Sequence, residues 1–213
     1  MRTDALIALL ATGEHAFPQN ESRRRLALAL GVGLFAALAA TVSLLGISAS
    51  LARDAQLPLF WAKVSLPLLL VVAGFLATLR LSRPGARLAP VPLALATPFV
   101  FIWGLAGQQI LVAEAGQRLS LVLGNTWLVC PWLIALLSLP ALCALLWAMK
   151  GLAPTRLRLA GAAAGLLAGA IGALAYTLHC PELAAPFIGI WYVLGMLIPA
   201  AVGALLGPRL LAW

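Results

Sequence analysis

The chain has 213 residues, of which 63% are hydrophobic and only 9% charged, and its formal net charge is +8. Soluble domains carry about a quarter of their residues as Asp, Glu, Lys or Arg, so this chain lacks the polar material for a water-facing shell. Its basic residues fall in short clusters between apolar runs, an arrangement that fits loops against anionic lipid and argues against direct nucleic-acid binding.

In chain order, residues 1–25 differ from everything after them. Thr3 can cap a short helix, with Asp4 in its first turn near the helix N-terminus. Leu6, Ile7, Leu9 and Leu10 give that helix an apolar side before Gly13 and Pro18 end the pattern. The segment closes on Arg23, Arg24 and Arg25. Two readings stay open: a helix lying on the inner membrane surface, or a short peptide that docks into a cytosolic protein's groove.

An apolar helix needs about 20 residues to cross the hydrocarbon core. Six stretches qualify, running roughly from Leu26 to Ala49, Leu59 to Leu79, Ala89 to Val112, Trp127 to Met149, Leu159 to Leu178 and Ala184 to Leu206. The first is longer than a signal-peptide core of about 7–15 residues and starts well into the chain, so it is expected to be retained. Strand-like alternation is absent, which excludes a barrel. The expected fold is therefore an all-α, polytopic bundle of six transmembrane helices over 26–213, preceded by a cytoplasmic segment over 1–25.

Lys and Arg in the short loops set the orientation. With the N-terminus inside, Arg2, the Arg23–Arg25 cluster, Arg80, Arg83, Arg87, Lys150, Arg156, Arg158 and Arg209 are cytoplasmic. The outer loops then keep Arg53 and Arg118, with Lys63 near the outer end of the second span and able to snorkel to the interface. Both termini are expected inside. Trp61, Trp127 and Trp132 read as anchors at the outer interface and Trp147 at the inner one.

Three cysteines carry the candidate chemistry. Cys130 opens the fourth span and Cys180 follows the fifth, both at the outer face and each followed by proline. Cys143 lies thirteen residues beyond Cys130, roughly 20 Å deeper at the helical rise. Since a disulfide needs Cα atoms within about 7 Å, Cys130 and Cys180 can meet, whereas Cys143 is structural. His179 and Glu182 flank Cys180, so two sulfurs, an imidazole and a carboxylate could alternatively hold a soft metal ion. Buried apolar packing is the third possibility for such thiols. Elsewhere, Gly161, Gly165 and Gly169 recur every four residues on the fifth span, and Gly203 and Gly207 repeat the pattern on the sixth. Such rows let helix backbones approach closely.

The middle of each span is free of ionisable residues, which weakens a transporter or channel reading. No catalytic set stands out, neither a Ser-His-Asp arrangement, an HExxH motif nor a phosphate-cradling glycine loop, so no enzyme is expected. A membrane thiol oxidoreductase using Cys130 and Cys180 is the other rival, although no CxxC is present.

The opening Arg2-Thr3-Asp4-Ala5-Leu6-Ile7 and the closing Leu178-His179-Cys180-Pro181-Glu182 are specific features. With Phe187-Ile188-Gly189-Ile190-Trp191-Tyr192 and the terminal Gly207-Pro208-Arg209-Leu210-Leu211, they resemble the NrsF family along the whole chain. These are six-span inner-membrane proteins of bacteria that negatively regulate an extracytoplasmic-function sigma factor. The resemblance implies an anti-sigma factor whose cytoplasmic N-terminus holds that sigma factor at the membrane. It assigns sigma binding to Arg2, Thr3, Asp4, Leu6, Ile7, Leu9 and Leu10. It also assigns heavy-metal or oxidative stress sensing to Cys130 and Cys180, with no cofactor beyond a transient heavy-metal ion at that pair.

Overall fold

The computed structural model describes residues 19–83, 89–152 and 154–212. Helix α1 runs over Gln19–Ala40 and is prolonged by a π-helical stretch, Thr41–Leu45. A short helix α2 (Leu51–Asp54) leads to α3 (Pro58–Leu81) and then α4 (Val91–Val112). The short α5 (Arg118–Leu123) precedes α6 (Cys130–Lys150) and α7 (Leu157–Tyr176). Helix α8 starts with the turn Ala185–Phe187, passes through the π-helical Ile188–Tyr192 and continues as Val193–Leu210. Among the described residues there is no strand.

Six of these helices are long and apolar enough to cross a membrane, and they coincide with the six expected runs. An unbroken apolar run favours helix in lipid because every backbone N–H and C=O is then satisfied within the segment. Proline opens several of them at the first or second position, in α3, α4, α6 and α8. There its missing N–H costs nothing and its fixed φ suits the helix. The outward faces carry large apolar side chains, among them Phe35, Leu93, Val100, Leu111, Trp147 and Leu205. Such a surface suits lipid.

The expected boundary after residue 25 falls inside a helix, because α1 already starts at Gln19. Arginine is a good helix former, and Arg25 pairs with Glu21 one turn back at 3.0 Å. The arginine cluster therefore lies within helix α1.

Helix α7 is the axis of the bundle. It packs on α8, α6, α3 and α1, and 78% of its apolar window is buried, against 11% for α4. The glycine rows explain its position. A Cβ at Gly161 would collide with the Gly203 carbonyl, one at Gly165 with that of Pro199, and one at Gly207 with that of Leu157. At Gly169 it would stand 2.8 Å from the Met196 backbone. Farther along, Gly172 turns to α6 and lies 2.6 Å, by the same measure, from the Ile134 carbonyl. Helices α7 and α8 thus touch backbone to backbone, which lipid cannot match and packing rewards.

Adding a methyl at Gly161 or Gly165 should accordingly force the two backbones apart. Overpacking costs about 1–3 kcal/mol or more, so Gly161→Ala and Gly165→Ala should each lower the thermal midpoint of the detergent-solubilised chain followed by circular dichroism. Gly31 and Gly107 face open space, and Gly31→Ala and Gly107→Ala should leave it unchanged or slightly raised. Equal midpoints for the two groups would remove the packing argument.

Candidate functional site

At one end of the bundle three connections converge: the loop after α1, the turn between α5 and α6, and the α7–α8 loop. Sequence-distant hydrogen bonds tie them together. Ser48 N–H donates to the Leu178 carbonyl at 2.9 Å, and His179 Nδ1 lies 3.1 Å from the Gly46 carbonyl. Asn125 N–H donates to Glu182 Oε1 at 2.7 Å. Ala185 N–H, one of the orphan donors at the start of α8, is satisfied by Gln109 Oε1 of α4 at 2.9 Å. Two turns require glycine. Gly46 has φ +78 and Gly124 has φ +55, and a side chain at Gly124 would also strike Glu182 and Phe187.

These contacts fix the segment that carries Cys180. Its N–H closes the last turn of α7 onto the Tyr176 carbonyl at 3.1 Å, and Pro181 turns the chain away from helix. Cys130 opens α6 with its N–H on the Thr126 carbonyl at 2.9 Å. Both thiols are buried and free. They belong to one apolar cluster and are hydrogen-bonded to each other, Cys130 donating to the Cys180 sulfur. Cys143 is exposed on the outside of α6, apart from the pair.

Around the sulfurs stand three side chains that the sequence did not single out as a site. The Tyr176 hydroxyl meets Cys130 and the Tyr192 hydroxyl meets Cys180. The latter oxygen is buried with no hydrogen-bond partner among the described residues. The two rings lie 5.9 Å apart, and the Tyr176 ring is 5.7 Å from that of His179. The third is Lys63. Its expected escape to the interface does not occur: the side chain is wholly buried. The ammonium donates to the Cys180 carbonyl and lies 5.7 Å from the Tyr192 ring centre. Its charge also acts on both sulfurs and on Asp54. Asp54 is itself buried and accepts from Ser50 Oγ at 2.6 Å.

The π-helical stretch of α8 helps build this wall. Its wider turn puts Ile188, Gly189 and Tyr192 into the interior. Trp103 Nε1 of α4 donates to the Gly189 carbonyl at 3.0 Å, satisfying a group in the irregular stretch. Trp127 is half-buried against Trp191, with ring centres 5.3 Å apart. It is therefore a packing residue as much as an interface anchor.

The four-donor metal set does not assemble. His179 turns to Gly46 and Glu182 to Asn125, and among the described residues no three His, Cys, Asp or Glu side chains form a group able to hold a metal ion. The residues expected to bind a sigma factor, Arg2 to Leu10, lie outside the described residues.

Six apolar helices that seal a thiol pair at one end and carry basic residues at the other define a helical protein of membrane type. The chain belongs to the NrsF family, negative regulator of sigma F, which matches residues 10–213. It is 50% identical over 213 residues to the probable anti-sigma-F factor NrsF of Azospira oryzae, covering all of both chains. It is 39% identical over 215 residues to the anti-sigma-F factor NrsF of Caulobacter vibrioides, again covering both chains completely. No solved structure matches the chain. The family is regulatory and not enzymatic, and the oxidoreductase alternative falls with that assignment.

The Cys180 thiol is lowered to about 6, first by the hydrogen bond from Cys130 and then by the Lys63 charge, while burial opposes both. A group whose folded-state value is depressed stabilises the fold above its unfolded value. Here that contribution shrinks as pH falls from the ordinary thiol range and is lost below about 6. In a Cys143→Ala chain, the ultraviolet absorbance of one thiolate should therefore appear as pH rises through about 6 and be missing after Cys180→Ser. A single step in the ordinary thiol range would contradict the hydrogen-bond assignment.

Proposed function

We propose that the chain is a multi-pass inner-membrane anti-sigma factor that holds an extracytoplasmic-function sigma factor through residues 2–10. It releases that factor when soft-metal or oxidative stress acts on Cys130 and Cys180. The basic end is read as cytoplasmic, so both termini are inside and the thiol pair is outside. Supporting this orientation, Arg23, Arg24, Arg25, Arg80, Arg83, Lys150, Arg156, Arg158 and Arg209 share one end, and Arg53 and Arg118 lie at the other.

The observation that carries the reading is the path of α1. One continuous helix leads from Gln19, next to the docking segment, to Leu45 at the thiol end. Gly46 and Ser48, directly after it, are bonded to His179 and Leu178, the residues preceding Cys180. A covalent change at Cys180 that moves residues 178–180 pulls on the end of α1. The other end of that helix carries the segment that would hold the sigma factor. Disulfide formation is the change the geometry favours, because the two thiols are already in contact.

A transcriptional reporter of the sigma factor tests the sensor. Cys130→Ser and Cys180→Ser together should abolish its induction by cadmium and by oxidants while Cys143→Ala leaves it intact. Undiminished induction in the double variant refutes thiol sensing. Fractionation tests the docking claim separately: deletion of residues 2–12 should move the sigma factor from the membrane to the cytosol. A sigma factor still sedimenting with membranes would put its binding site elsewhere.

A further inference from the structure

If the thiol end faces an oxidising compartment, as the reading above has it, disulfides form and persist there. Two thiols already in hydrogen-bond contact would then oxidise at once, and the sensor would be spent before any stress, unless the reduced form is favoured. The structure contains a group able to favour it.

Lys63 is wholly buried in α3, among Phe60, Leu66 and Leu70 of the same helix. A buried ammonium is costly unless it meets compensating charge or a full set of acceptors. Its hydrogen-bond acceptor is a single neutral carbonyl, that of Cys180, and its aromatic neighbour is the Tyr192 ring at 5.7 Å. The groups whose negative charge it favours are Cys180, Cys130 and Asp54. Around the sulfurs are arranged Cys130 from α6, Tyr176 from α7, Tyr192 from α8 and Lys63 from α3, with Glu182 in the same loop. Cys130 donates to the Cys180 sulfur, and Lys63 is the one cation of the group. The hydrogen bond from Cys130, the Lys63 charge and the Glu182 backbone N–H thus favour an electron-rich sulfur at Cys180, and burial opposes them.

We propose that the Lys63 ammonium is a positioning residue that keeps the Cys130–Cys180 pair reduced, by favouring negative charge that the reduced pair can carry and a disulfide cannot. Its hydrogen bond to the Cys180 carbonyl holds that residue against Cys130, and its charge sets how strong an oxidant is needed. Stabilising the reduced form raises the potential of a thiol pair. The inference rests on the thiol pair being the sensor.

The step can be followed with a small disulfide, oxidised glutathione, as oxidant. The Cys180 sulfur attacks one glutathione sulfur, so that an S–S bond forms and a glutathione thiolate leaves. Cys130 then displaces the second glutathione as a thiolate, giving its proton to solvent. The pair loses two electrons and the glutathione disulfide gains them.

The experiment equilibrates the full chain, carrying Cys143→Ala, in lipid nanodiscs with glutathione buffers. The fraction of Cys130–Cys180 disulfide is read by maleimide trapping under denaturing conditions. Lys63→Gln keeps a donor for the Cys180 carbonyl but removes the charge. It should shift the equilibrium at least tenfold towards the disulfide, which is about 30 mV lower in potential. Lys63→Arg restores the charge and should stay near the unsubstituted chain. An unshifted Lys63→Gln overturns the proposal, and so does a Lys63→Arg that shifts as far as Lys63→Gln. Should the substituted chains not fold, the unsubstituted chain decides: near neutral pH both departing glutathione thiolates are protonated while only Cys130 supplies a proton, so its oxidation should take up one net proton per disulfide, and no net uptake overturns the proposal. A transcriptional response that survives loss of both cysteines would refute the sensor reading without altering this equilibrium. An unshifted equilibrium would remove the role of Lys63 and leave the sensor standing.

Discussion

The backbone contact between α7 and α8 is the constraint on which the rest of the structure depends. Gly161, Gly165, Gly203 and Gly207 let carbonyls of one helix lie where side chains would otherwise be. Lipid gives no hydrophobic reward for bringing helices together, so closeness of packing has to supply it. Once these two helices are locked, the α7–α8 loop has little freedom. Cys180, four residues after the end of α7, and Tyr192, in the π stretch of α8, are placed relative to each other by that contact. Gly172 extends the effect to α6, which brings Cys130 to the same depth. The thiol pair is a consequence of the glycine seam.

Around that pair several backbone groups are satisfied by side chains from distant elements. Backbone donors that helix ends leave over are taken by Gln109 and Glu182, and the Gly189 carbonyl in the π stretch by Trp103. An unsatisfied backbone group in an apolar setting costs several kcal/mol, so these side chains are as necessary to the end of the bundle as its apolar core. His179 and Glu182 are adjacent to Cys180 in sequence, but the αR turns at the end of α7 and the proline after Cys180 send them to opposite loops. Adjacency in sequence at a helix end does not make a ligand set.

Much of this was legible before any coordinates. Hydropathy located all six long helices, since a run of about 20 apolar residues has few alternatives to a span. The four-residue glycine spacing located the tightest seam. Counting helical rise put Cys130 and Cys180 at one depth and Cys143 at another. What escaped was set by tertiary context. Lys63 lies five residues into α3, near enough to the helix end that snorkelling satisfied the sequence argument. In the fold Lys63 is wholly buried and its ammonium is held by the Cys180 carbonyl of the α7–α8 loop. The π stretches at Thr41–Leu45 and Ile188–Tyr192 have no composition of their own. Helix propensity cannot distinguish them from α-helix, yet one of them decides that Tyr192 faces the thiols. Helix α1 starts at Gln19, ahead of the first apolar run, because Glu21 and Arg25 pair one turn apart and continue the helix through the arginine cluster.

The distribution of rigidity decides which element can carry a signal. Helices α7 and α8 are interlocked along their length and form a fixed frame. Helix α1 is held differently: 22% of its apolar window is buried. Its closest approach is a single glycine, Gly33, where a Cβ would stand 2.6 Å from that of Ala141 on α6. Its upper end is irregular, with Thr41 Oγ1 bonded back to the Ala37 carbonyl inside the π stretch and a glycine in the left-handed region directly after it. On the proposed reading, Gly33 is the point about which such a helix would turn when its upper end is displaced. The residues that hold that upper end, Leu178 and His179, are the two before Cys180. On the proposed reading, a displacement of a fraction of an ångström there is resisted by the α7–α8 frame and taken up by α1, which is less buried than either of those helices. Differential rigidity, more than distance, is what the proposed coupling between the thiol end and the N-terminal segment requires.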